Sequence, residues 1–257
     1  MGDVGVMIFL RSLAFHIAFY LNLIVLMLLG LPRLLGGRGP AMSHARLWGT
    51  SSIWLLEHIC KIRVEFRGVQ NIPQGACIIA SKHQSVFETF ALLLYCADFT
   101  YAVKKELRKI PLFGWYIAAT EQIAVDRQKG GAIMPQLLRS AGAAFAQGRQ
   151  LLIFPEGTRR PAGAPPVYKY GVAQIYAGSH VACVPVALNA GLFWPRRSFL
   201  LHPGTLVVEF LDPIAPGMER RAFFELLQER IETASNRLMA EAIAAHPVLA
   251  QQMSKAG

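Results

Sequence analysis

From Ile62 onward, short runs of apolar or β-branched residues alternate with longer stretches of helical character, and few chain folds accommodate that rhythm. The strand-like runs are 62–66, 77–80, 100–103, 122–125, 151–154, 182–188 and 206–210; helical stretches cover 87–96, 133–146, 172–177 and 221–244. The alternation predicts an α/β fold with a central, mostly parallel sheet of about seven strands flanked by helices. No linker rich in proline, glycine and serine divides the chain, and no repeat is evident, so residues 61–257 read as one domain behind an N-terminal segment, 1–60.

That segment has its own constraint. Val6 to Leu31 is almost wholly apolar, interrupted by Arg11, Ser12, His16 and Asn22. A bilayer span needs about 20 apolar residues, so a crossing helix requires Arg11 to lie near the headgroups. A second apolar stretch, Leu47 to Ile59, carries Trp48, Trp54, Glu57 and His58 and is too short and polar to cross. It suits a hairpin partner for the first, dipping into one leaflet with tryptophans at the interface. Spanning helix and hairpin both remain open, and either makes 1–60 a membrane anchor. Arg33, Arg38 and Arg46 follow the first stretch while Asp3 is the only charge before Arg11, which puts the C-terminal side, 61–257, on the cytoplasmic face, at the inner membrane in a bacterium. A cleaved signal peptide fits poorly, because Met1 to Met7 contains no Lys or Arg.

Charge narrows the partners. Twenty-six Lys and Arg against 16 Asp and Glu leave a net charge of +10, which favours nucleic acid or an anionic membrane. With 53% hydrophobic residues, a mean hydropathy of +0.35 and no nucleic-acid-binding signature, the membrane is the expected partner and nucleic acid is not. The four cysteines, Cys60, Cys77, Cys96 and Cys183, are scattered in apolar surroundings, with neither metal-ligand nor disulfide spacing.

Two segments carry chemistry. In Lys82-His83-Gln84-Ser85-Val86-Phe87-Glu88 a histidine stands just past a predicted strand and an acid falls in the first turn of the helix that follows. In Phe154-Pro155-Glu156-Gly157-Thr158-Arg159-Arg160 a strand end leads into a glycine turn closed by guanidinium groups, which suits an anionic ligand. Open α/β sheets bind ligands at the carboxyl ends of their strands, where both segments are expected. Glu88 has two readings: it orients the His83 imidazole, or it closes a capping box on the Ser85 amide and ignores the histidine.

These segments, with the lysine block Lys104-Lys105-Glu106-Leu107-Arg108-Lys109-Ile110-Pro111-Leu112-Phe113-Gly114-Trp115 and the later Val184-Pro185-Val186, resemble the glycerolipid acyltransferase family that includes 1-acyl-sn-glycerol-3-phosphate acyltransferases. The resemblance covers roughly Ile62 to Leu211, with Glu88 where most relatives have aspartate. It implies acyl transfer from acyl-CoA or acyl carrier protein to the sn-2 hydroxyl of a lysophosphatidate-type lipid, giving phosphatidate without cofactor or metal. His83 and Glu88 would be the catalytic pair. Lys105 and Arg159 would grip the phosphate, Glu156, Gly157 and Thr158 would line the acceptor site, and Pro185 would lie near the acyl donor. No protein nucleophile is needed, since the lipid hydroxyl itself attacks, and G-x-S-x-G is absent. Another lysolipid acceptor, such as a lyso-ornithine lipid, is the neighbouring alternative, and a non-catalytic lipid-binding module is the alternative from a different class. Arg160 reads as a solvated surface residue, the loop from Pro161 to Pro166 as an inert or mobile entry segment, and Asp126-Arg127 as a structural ion pair or a loop closure.

Overall fold

A computed structural model describes residues 3–125 and 133–254; the Asp126-Arg127 pair lies outside the described residues. Seven strands form one sheet: β1 (Ile62–Arg67), β2 (Cys77–Ser81), β3 (Phe99–Lys104), β4 (Ile123–Val125), β5 (Gln150–Ile153), β6 (Cys183–Leu188) and β7 (Gly204–Phe210). Their order is β1-β7-β6-β2-β5-β3-β4. Neighbours pair in parallel throughout except β6 with β7, so β1 and β7 run against the other five.

The sheet is covered on both faces, and the strands show why. Along β2, Cys77 and Ile79 enter one apolar cluster while Ile78 and Ala80 enter the other. In β5, Leu152 and Leu151 divide the same way. Strands buried on both sides read as continuous apolar runs, which is why these stretches were conspicuous in the sequence. One face is covered by α3 (Arg38–Cys60), α4 (Glu88–Ala91) and the 3₁₀ turn Leu92–Tyr95; the other by α6 (Ile133–Ala146), α7 (Gly171–Ser179) and the long α9 (Arg220–Ala245), whose Met239 and Ala242 join the first cluster. Shorter elements are α2 (Leu31–Leu34), α5 (Phe113–Ala119), α8 (Ala190–Phe193) and α10 (Ala250–Ser254).

The first helix, α1 (Asp3–Leu29), is long and apolar enough to cross a membrane over Val4–Leu29. It packs along α3, where the Asn22 side-chain amide donates to Ser51 Oγ at 2.8 Å. Its inward stripe is narrow, with Ser12, Phe15 and Phe19 buried. Phe15 and Phe19 belong to the same cluster as Phe90, Trp194 and Leu206 of the α/β body. The opposite stripe, Ile17, Tyr20, Leu21, Ile24 and Leu28, is exposed. At the junction with α2, a Cβ on Gly30 would fall 2.2 Å from both the His44 ring and the Tyr116 hydroxyl, so only glycine fits there.

Candidate active site

The parallel strands β2, β3 and β5 end at one edge of the sheet, and the chain leaving each carries one of the segments singled out in the sequence. Lys82 and His83 follow β2, Lys105 follows β3, and the turn from Phe154 to Arg159 follows β5.

His83 and Glu88 meet: His83 Nδ1 lies 2.8 Å from Glu88 Oε1. That oxygen also accepts the backbone N–H groups of Gln84 and Ser85, each at 2.7 Å, while Ser85 Oγ accepts the Phe87 N–H. Capping and imidazole orientation, opposed as alternatives in the sequence, are performed by one oxygen atom. The Glu88 side chain is fully buried, whereas that of His83 keeps 14% of its surface exposed. A ring nitrogen bonded to a carboxylate is fixed as the protonated one when the imidazole is neutral, which leaves Nε2 as a proton acceptor. The imidazole rests flat on Phe154, centroids 4.0 Å apart and planes 14° off parallel, and Phe154 in turn stacks on Tyr101.

The two segments are tied through the His83 backbone. Its N–H donates to Glu156 Oε2 at 2.8 Å and its carbonyl accepts the Arg160 N–H at 2.7 Å. Arg160 is therefore not a freely solvated residue: it is half-buried, and Nη2 donates to the Pro165 carbonyl. The segment from Pro161 to Pro166 is likewise pinned, with Ala162 buried in the core.

Beneath His83 lies an ion network that sequence reasoning missed. Lys82 Nζ contacts Glu156 Oε1 at 2.9 Å and Glu232 Oε1, from α9, at 2.6 Å. The Tyr168 hydroxyl donates to the same Glu232 oxygen at 2.8 Å. Burial pushes the Glu156 carboxyl above its ordinary range, with Lys82 opposing the shift, and burial likewise pushes the Tyr168 phenol up. The partners of Lys82 are distant in the chain, and the one local hint was a lysine immediately before the histidine.

Gly157 turns the chain at φ +70°, a conformation that strains any L side chain. Thr158 is exposed and Arg159 half-buried beside it; the Arg159 carbonyl accepts from Arg196 Nη1 at 2.8 Å. Lys105 is exposed and opens the 3₁₀ turn Lys105–Lys109. Pro185 lies apart from these, buried within β6 in register with Ala80. Its carbonyl accepts the Leu211 N–H, and its ring nitrogen falls between the Cys183–Ile214 bridge and the β7 ladder, where a missing donor costs no regular bond. Among the described residues no group of three His, Cys, Asp or Glu side chains is arranged to hold a metal ion.

A histidine steered by a buried acid at the carboxyl edge of an α/β sheet suits proton abstraction from a bound hydroxyl. Residues 63–189 match the acyltransferase domain family. The chain is 37% identical to a 1-acyl-sn-glycerol-3-phosphate acyltransferase of Pseudomonas aeruginosa over 195 residues, 76% of each protein. A Limnanthes alba protein of the same name is 28% identical, the match covering 75% of this chain and 67% of that protein. The crystal structure of the 1-acyl-sn-glycerophosphate (LPA) acyltransferase PlsC from Thermotoga maritima superposes with a TM-score of 0.76, covering 90% of this chain and 97% of that one at 24% identity, a likeness of fold. The chain belongs to the glycerolipid acyltransferase family and is an acyltransferase.

Proposed function

We propose that the protein transfers a fatty acyl group from acyl-CoA or acyl carrier protein to the sn-2 hydroxyl of 1-acyl-sn-glycerol 3-phosphate, forming phosphatidate for phospholipid synthesis. The observation that carries the reading is the 2.8 Å contact from His83 Nδ1 to the buried Glu88 carboxylate, with the imidazole still partly open to solvent. In this mechanism His83 Nε2 takes the hydroxyl proton as the lipid oxygen attacks the thioester carbonyl. Glu88 holds the tautomer and balances the imidazolium. Collapse of the tetrahedral intermediate breaks the carbon–sulfur bond, and the imidazolium proton passes to the departing thiolate.

The other roles follow from position. Arg159 and Lys105, on adjacent strand ends, grip the acceptor phosphate. Gly157 lets the backbone approach the ligand, Thr158 stands on the open side of the same turn, and Glu156 fixes the His83 peptide from below. Pro185, inside the sheet in register with Ala80, lies near the acyl donor. Residues 1–60 seat the enzyme on an anionic membrane with the catalytic part, 61–257, on the cytoplasmic face, the exposed stripe of α1 meeting the lipid. The names borne by the relatives support the acceptor.

The test supplies purified protein with lysophosphatidate and each donor in turn. Phosphatidate is expected with at least one donor, and none with either refutes the reading. His83→Ala is expected to lower kcat by about 10²- to 10⁴-fold, the usual contribution of a general base.

A further inference from the structure

Between α8 and β7 the chain makes a loop, residues 194–203, that touches both α1 and the turn carrying Arg159. Its contacts with α1 are numerous. Trp194 packs edge-on against Phe15 at 5.2 Å and against Phe19 at 5.7 Å. Phe199 lies against Phe9 and His16, the Phe199 carbonyl is 3.0 Å from His16 Nε2, and the Leu201 N–H donates to the buried Ser12 Oγ at 2.9 Å. Between these anchors the loop folds tightly, the Ser198 N–H donating to the Pro195 carbonyl, with Arg197 at φ +61°. A left-handed arginine is an unfavourable conformation that persists only where its surroundings hold it. From this turn Arg196 reaches out, half-buried, and Nη1 donates to the main-chain carbonyl of Arg159 at 2.8 Å.

Resting on the phosphate-grip reading above, we infer that Arg196 is a positioning residue for the acceptor's phosphate: from a loop anchored on α1, it fixes the Arg159 peptide and so the guanidinium that meets the phosphate. The physical case is local. Arg159 lies just beyond a glycine turn, and its side-chain direction depends on the peptide that Arg196 holds. The N–H of the same peptide, on Arg160, donates to the His83 carbonyl at 2.7 Å, so Arg196 supplies one of two bonds that hold it. Hydrogen bonds to charged groups are the stronger kind, and releasing this one leaves the peptide tethered on its N–H side alone. Arg196 acts on ground-state and transition-state binding of the phosphate alike, which alters KM rather than kcat.

The experiment uses the full chain in vesicles and measures kcat and KM for lysophosphatidate, with the uncharged 1-monoacylglycerol as comparison acceptor. Arg196→Ala is expected to raise KM for lysophosphatidate about tenfold, the size of one charge-assisted hydrogen bond, with kcat changed less than about threefold and monoacylglycerol use unchanged. Arg196→Lys, which keeps a charged donor, should recover most of the loss. If Arg196→Ala does not fold, Arg196→Gln, of similar length but without charge, takes its place under the same expectation. Arg159→Ala separates the two ideas. If it raises KM while the Arg196 variants do not, the inference fails and the phosphate reading stands; if neither raises KM, the phosphate reading itself fails. The double variant should bind no worse than Arg159→Ala alone, because Arg196 acts through Arg159, and additive losses would overturn the positioning role.

Discussion

Glu88 concentrates several tasks in one oxygen, and that dictates how its variants should part company. In Glu88→Gln the amide oxygen can still accept from the Gln84 and Ser85 N–H groups and from His83 Nδ1, but the charge that balances the imidazolium in the proposed mechanism is gone. Folding should be nearly unchanged while kcat falls about 10²- to 10⁴-fold, as when a triad carboxylate becomes an amide. Glu88→Ala should lose activity similarly and also destabilise by about 1–3 kcal/mol, since buried N–H groups go unpaired. Denaturant unfolding alongside steady-state kinetics checks both, and equal stability of the two variants would contradict the double role. Lys82 makes a different prediction. Lys82→Met leaves Glu156, 1% exposed, without its facing cation, and breaking a buried pair typically costs about 3–5 kcal/mol. Burial already raises the Glu156 carboxyl and Lys82 restrains that rise. In the variant the folded protein thus holds a proton that the unfolded chain releases at lower pH. Its stability should fall as pH climbs from the ordinary carboxylate range through the raised value, so the deficit against wild type is larger at pH 8 than at pH 5.5. The His83–Glu88 pair was legible because its members share a turn. The Lys82–Glu156–Glu232–Tyr168 network was not, because folding alone brings β2, β5 and α9 together.

At the scale of elements, the strands were readable and their order was not. Each is an apolar run buried on both faces, a signal local to a few residues, whereas the placement of β7 between β1 and β6, antiparallel to β6, depends on long-range pairing. The helix expected over 87–96 is α4 followed by a 3₁₀ turn, and α5 and α8 were too short to show a period. Helix α1 is the instructive element. Its composition separates it from the rest of the chain, yet Phe15 and Phe19 bury into the core that holds Phe90 and Trp194. Phe15→Ala should therefore cost about 3–5 kcal/mol of global stability, as for a large side chain removed from a packed interior. An unfolding midpoint unmoved by this change would mean that α1 behaves as an independent anchor.

For the whole molecule, two attractions to a membrane compete for importance, and their magnitudes and salt dependence separate them. If the protein sits on an anionic membrane as proposed, its net charge of +10 contributes about 1 kcal/mol for each Lys or Arg held near the surface, a term that fades as salt shortens the screening length. Helix α1 exposes thirteen large apolar side chains from Val4 to Leu29. At about 1.5–3 kcal/mol for each one fully buried, even partial insertion of this face exceeds the electrostatic term, and salt does not weaken it. High salt should therefore slow association with anionic vesicles but fail to release protein already bound. The combined variant Leu21→Glu, Ile24→Glu and Leu28→Glu, all on the exposed stripe, should instead release it while leaving the folded core and turnover of detergent-dispersed acceptor intact. Vesicle sedimentation in 0.1 M and 1 M salt reads both effects. Full release of the unmodified protein by 1 M salt would reverse the ranking and make the basic surface, rather than α1, the means of attachment.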